Sequence, residues 1–281
     1  MWIVILFLIV GGLIYFLAFP RDKDLHYAAG NGEIIAIKHL LNKGIEPNVR
    51  TKEGQTPLHI ASIEGHANAI ALLIERGADI EARTEDGLTP LHIAASYSHT
   101  KSINILIDAG ANTNAKMKEG SLTPLHTAAY YGETKAITAL IDKGIDPDIK
   151  AEMRFTPLHI AAREGEANAI IALLNSGANP ETKNVVGMTP LHIAVLNGHV
   201  EATNALLDRG ADPNARNEED LTPLYLAALN GHAEAITALL DAGADLKVKN
   251  KNGKTALDLI DEDNPAYGTD AYWRLHDAKF N

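Results

Sequence analysis

Apolar and polar positions along this chain fall into blocks that return about every 33 residues. In one block Leu58, Ile60 and Ala61 make a short apolar side. Gly65 follows, then a second stripe of Ile70, Leu72, Leu73 and Ile74, then Gly77. Spacings of three and four residues place such side chains on one face of a helix. Gly65 and Gly77 suit the left-handed residue just beyond a helix end. Each block therefore predicts helix, turn, helix, with residues 78–82 leading out to a projecting turn around Asp86 and Gly87. The second stripe recurs as Ile103, Leu106 and Ile107, and again at Ile137, Leu140 and Ile141. Later copies centre on Ile170 and Leu173, on Leu206, and on Ile236 and Leu239. The opposite sides of these helices are polar, as on a solvated outer face.

The start of each block is nearly invariant: Thr56-Pro57-Leu58-His59-Ile60-Ala61 returns from Thr89, Thr123, Thr156 and Thr189. Thr222-Pro223-Leu224-Tyr225 is a sixth copy and Thr255-Ala256-Leu257-Asp258 a decayed one, while Asp24-Leu25-His26 occupies the place of an earlier start. Threonine caps a helix through its hydroxyl, and proline suits the first helical position, where no backbone donor is needed. The step is 33 residues, with 34 between Thr89 and Thr123. A two-helix unit of this size cannot bury its stripe alone, so neighbours must stack into a continuous core.

These motifs resemble the ankyrin repeat, over about residues 22–260 and about eight units. The resemblance implies an all-α solenoid with projecting fingers. It also implies that the motif histidines hydrogen-bond structurally with the threonine hydroxyls. Its implied function is recognition of another protein on a concave surface made by fingers and first helices, with no partner common to the family.

Ahead of the array, Trp2 to Phe19 carries no charge. As a helix of about 1.5 Å per residue this run is about 27 Å long, close to the roughly 30 Å of a bilayer core. Trp2 at one end and Tyr15, Phe16 and Phe19 toward the other suit interfacial aromatics. The expected division is a transmembrane anchor at 1–20, an array at 21–262 and a capping tail at 263–281. A cleaved signal peptide is the rival reading, but no basic segment precedes the run and no small-residue cleavage site closes it. Arg21 and Lys23 after the run favour a single-pass protein with its array on the cytoplasmic side. The alternative is a periplasmic or exported array that protects or inhibits a partner.

The net charge of −11, with no basic stripe read from the sequence, argues against nucleic acid. With no cysteine, disulfides and thiolate metal sites are excluded. No phosphate loop, zinc-protease motif or nucleophile elbow is present, so the expectation is a non-enzyme without cofactor or small-molecule substrate. Histidines recur at two motif positions, but equivalent residues of stacked units form a row, whereas metal ligands converge.

Candidate binding residues are those that depart from the repeat's own pattern. Tyr97, Tyr130 and Tyr131 stand at the ends of first helices, where packing does not require an aromatic and interfaces often use one. Met117 lies in the finger with the inserted residue. Met153 and Phe155 lie in a finger where Arg154 replaces the usual glycine, so that turn is expected to differ in shape. All six are expected near the middle of the concave surface. The tail is expected to form a helix capped by Thr269 or Asp270, with Tyr272 or Trp273, Leu275 and Phe280 on its apolar side.

Overall fold

A computed structural model describes residues 24–280, with side chains through Asp277. The expected membrane segment lies outside the described residues. Among the described residues no helix is long and apolar enough to cross a membrane.

Seven helix pairs follow one another. Their first helices are α1 Leu25–Gly30, α3 Pro57–Ile63, α5 Pro90–Ser96, α7 Pro124–Tyr130, α9 Pro157–Glu164, α11 Pro190–Leu196 and α13 Pro223–Asn230. The second helices are α2 Ile34–Asn42, α4 Ala67–Glu75, α6 Thr100–Asp108, α8 Thr134–Asp142, α10 Ala167–Asn175, α12 Val200–Leu207 and α14 Ala233–Asp241. First helices pack on first helices and second on second, giving two layers. Leu58, Leu91, Leu125, Leu158 and Leu191 are buried between them, as are Ile70, Ile103, Ile137 and Ile170. Each such side chain contributes about 1.5–3 kcal/mol, and every unit needs its neighbour to realise it.

The Thr-Pro-Leu-His motif sets both the helix start and the stacking. The Thr56 backbone N–H donates to His59 Nδ1 at 3.1 Å, and the threonine hydroxyl lies 2.9 Å from the same nitrogen. Because Nδ1 accepts, the ring proton sits on Nε2, which donates at 3.2 Å to the carbonyl of Leu88, the finger residue just before the next unit's Thr89. His92, His126, His159 and His192 repeat this link to Leu122, Phe155, Met188 and Leu221. The second histidine row points the other way: His66, His99, His199 and His232 reach carbonyls of the preceding unit. Both rows staple neighbouring units. The glycine before the second helix makes room for this contact. Gly65 has φ +70, and a Cβ there would come within 2.5 Å of the His99 ring.

The ends of the array depart from the template in ways the residues explain. Asp24 replaces threonine and accepts from the His26 backbone N–H at 2.9 Å. At the far end Thr255 donates to Asp258, but only a 3₁₀ turn, Leu257–Leu259, follows. The tail forms α15, Asp270–Phe280, with the Thr269 hydroxyl accepting from the Tyr272 N–H at 3.3 Å. Ala271 and Leu275 are buried, and Arg274 pairs with Asp241 of α14 at 2.8 Å. Of the two aromatic alternatives, Tyr272 packs against the core and Trp273 stays 50% exposed. The side chain of Phe280 lies outside the described ones.

Candidate protein-binding surface

The connections between units project as fingers, here numbered by the unit they follow. One backbone hydrogen bond joins each finger to the next over the first six. Glu85 N donates to Glu53 O, Lys118 N to Asp86 O, Glu152 N to Gly120 O, Val185 N to Met153 O, and Glu218 N to Val186 O. The fingers thus form a continuous edge without becoming a regular sheet.

The fourth finger differs from its neighbours, as its missing glycine predicts. Glu152–Arg154 is a 3₁₀ turn, with Met153 at φ 55 and Arg154 at φ 60. The shape change does not remove the left-handed conformation, because the next finger still has to be met. Two side-chain-bearing residues adopt it instead, at about 1 kcal/mol or more each. Arg154→Gly is therefore expected to raise stability by about 0.5–1 kcal/mol, read from the denaturant midpoint. An unchanged or lower midpoint would mean that the arginine side chain offsets the strain.

The six candidate residues occupy two ends of the first-helix layer. Tyr97 caps α5, its ring stacked on His99 at 6.0 Å. Tyr130 ends α7, and Tyr131 caps it, edge-on at 4.8 Å. Partial burial pushes the Tyr131 phenol up to about 12, with Tyr130, Tyr97 and Glu164 adding to the shift. The three tyrosines belong to adjacent first helices, α5 and α7, which pack on each other. Met117, Met153 and Phe155 stand at the finger end. Met153 is 45% exposed, whereas Phe155 is half-buried against the core with its ring 5.4 Å from that of His159. Phe155 takes the place held by Leu88, Leu122, Met188 and Leu221 in other fingers, so packing accounts for its apolar character. His126, bonded to the Phe155 carbonyl at 3.1 Å, lies one turn before Tyr130 on α7. Along the helix the two groups are thus separated by roughly 6 Å or more.

A family model described as ankyrin repeats, in three copies, matches residues 25–117, 83–151, 125–217 and 191–260. The chain belongs to the ankyrin-repeat family. A search of curated proteins gives no match. Ankyrin repeats are in general protein-binding scaffolds rather than enzymes.

One feature of this ankyrin array corrects the sequence reading. A basic row does exist: Arg50, Arg83, Lys116, Lys150, Lys183, Arg216 and Lys249 hold one equivalent position in successive fingers, all exposed. Scattered at intervals of 33 or 34 residues in an acidic chain, they escape a search for clustered charge. Some of them staple fingers together. Arg50 donates to the Arg83 carbonyl at 2.7 Å, Arg83 to that of Lys116 at 2.7 Å, and Lys183 to that of Arg216 at 2.9 Å. The finger over residues 184–188 carries an apolar, exposed tip, as its sequence reads: Val185 and Val186 are 37% and 45% exposed.

Proposed function

We propose that this ankyrin array holds a partner protein on its first-helix and finger surface, close to a membrane in which residues 2–19 are anchored. The observation that carries the binding reading is the tyrosine cluster. Tyr97, Tyr130 and Tyr131 sit at helix ends, partly exposed, where the corresponding residues of other units are Glu64, Leu229 and Asn230. Rigid aromatic side chains at a surface supply large contact area at little entropic cost, and they are enriched among binding hot spots. The tether rests on the uncharged run Trp2–Phe19, and the cytoplasmic orientation on Arg21 and Lys23. No catalytic role, cofactor or small-molecule substrate belongs to this reading.

Affinity capture followed by mass spectrometry tests it. Tyr97→Ala with Tyr131→Ala is expected to weaken capture by about tenfold or more, while the thermal midpoint stays nearly unchanged. Loss of capture together with a large fall in midpoint would assign these tyrosines to packing. Phe155→Ala behaves oppositely: it is expected to destabilise by about 1–3 kcal/mol, since the ring packs on the core. Compartment-sensitive reporters after Asn281, with the intact mass of the membrane-extracted protein, test the tether. A mass lacking the first segment, or a reporter active across the membrane, would replace it with the exported form.

A further inference from the structure

Three properties meet across the third, fourth and fifth fingers. The tips of the fourth and fifth are apolar: Met153 and Val186 are each 45% exposed and Val185 37%. The third and fourth fingers are also cationic. Lys116 and Lys118 flank Met117, and Lys150 and Arg154 bracket the fourth tip. Among the described residues none of these four has a carboxylate within salt-bridge distance. Arg50 and Arg83, at the same register as Lys116 and Lys150, instead spend their donors on a neighbouring finger's carbonyl. The backbone here is also strained. Of the described non-glycine residues with positive φ, Ser121, Met153 and Arg154 lie in these fingers, and only Ser98 and Asp220 lie elsewhere. Strain of this kind gathers at ligand-binding segments.

Resting on the protein-binding reading above, we propose that these three fingers take an extended acidic segment of the partner, with apolar side chains interspersed among its carboxylates. The chemistry is complementary. Unpaired ammonium and guanidinium groups meet carboxylates, and the methionine and valine tips meet apolar side chains between them. Methionine adapts to varied apolar shapes. Nucleic acid fits less well, because the apolar tips Met153, Val185 and Val186 offer no aromatic stacking platform for bases.

A displayed library of random dodecapeptides, selected on the full chain in detergent, supplies the test. Expected are enriched peptides that mix Asp or Glu with apolar residues. Their affinity should fall at least roughly tenfold when salt rises from about 0.05 to about 0.3 M. Lys118→Glu with Arg154→Glu changes exposed side chains only and is expected to keep the thermal midpoint. It should lose these peptides at least tenfold and turn selection toward basic ones. Enrichment of neutral or basic peptides by the native chain, or equal binding by the charge-reversed variant, overturns the proposal. So does tighter binding of a single-stranded oligonucleotide, or of phosphatidylserine vesicles, through the same two residues. If selected peptides depend on Tyr97 and Tyr131 but not on Lys118 and Arg154, the protein-binding reading survives and this one falls. No enrichment over a library panned without protein removes both.

Discussion

Acidification from neutral pH to about 4 is expected to unfold the array. Burial lowers His59, His92, His126, His159 and His192 from 6.5 to about 4, while their bonds to neighbouring carbonyls oppose the shift in part. The native state therefore binds fewer protons than the unfolded chain between these two values. Stability is full above 6.5, declines as pH falls through the window, and levels off below about 4. Each histidine accounts for a loss of up to about 3 kcal/mol. The losses do not simply add, because opening one interface exposes the histidines beside it. The geometry gives the same sign. Nδ1 accepts from the threonine N–H, so protonating it sets one donor against another in a buried site. Tyr225 replaces histidine in the seventh unit and accepts from Asn250 Nδ2 at 2.9 Å, so that unit holds no titrating motif ring. Hydrogen exchange at about pH 5 is therefore expected to show units two to six opening before the seventh. Equal protection at pH 5 and 7.5 would mean that the rings open locally to accept protons without weakening the stack.

Much of this architecture was legible because the same physics is written several times along the chain. Thr-Pro marks each helix start from Thr56 to Thr222, and Gly65 and its equivalents mark the turns. Single irregularities were harder. The missing glycine at Arg154 announced an altered finger. It did not reveal that Met153 and Arg154 would both turn left-handed, since that is imposed by the hydrogen bonds to Gly120 and Val185 on either side. The apolar character of Phe155 was visible, but its packing against the core and beside the His159 ring follows from the stacking of units. Trp273 and Tyr272 are equivalent choices for the inner side of the tail by sequence, and the packing of α15 on α14 selects Tyr272. The candidate site is legible only as departures from the repeat. A residue-level pattern shows where the chain is unusual, whereas adjacency in space needs the stacking. The basic finger row shows the reverse case: regular in structure, it was hidden by its long interval in sequence.

Leu125→Ala is expected to divide the array, whereas the same change at Leu275 is expected only to loosen its end. Both side chains are buried, at 0% and 2% exposure. By local chemistry alone each truncation costs about 3–5 kcal/mol, from lost transfer free energy and the cavity left behind. The consequences differ because each unit touches only its neighbours. Leu125 lies on α7, which packs on α5 and α9, so weakening it loosens the link between the first three units and the last four. Each part keeps internal interfaces of its own. Calorimetry of the Leu125→Ala protein is accordingly expected to show a lower and broader transition that resolves into two. Hydrogen exchange should then be fastest in α7 and α8. Leu275 lies on α15, which packs on α14 and on the 3₁₀ turn before it. Its truncation frays the cap and exposes one face of the seventh unit, with little change in the main transition. A single sharp transition, lowered equally by both substitutions, would show that cooperativity spans the entire solenoid. The histidine staples between units would then couple distant interfaces more strongly than nearest-neighbour stacking provides.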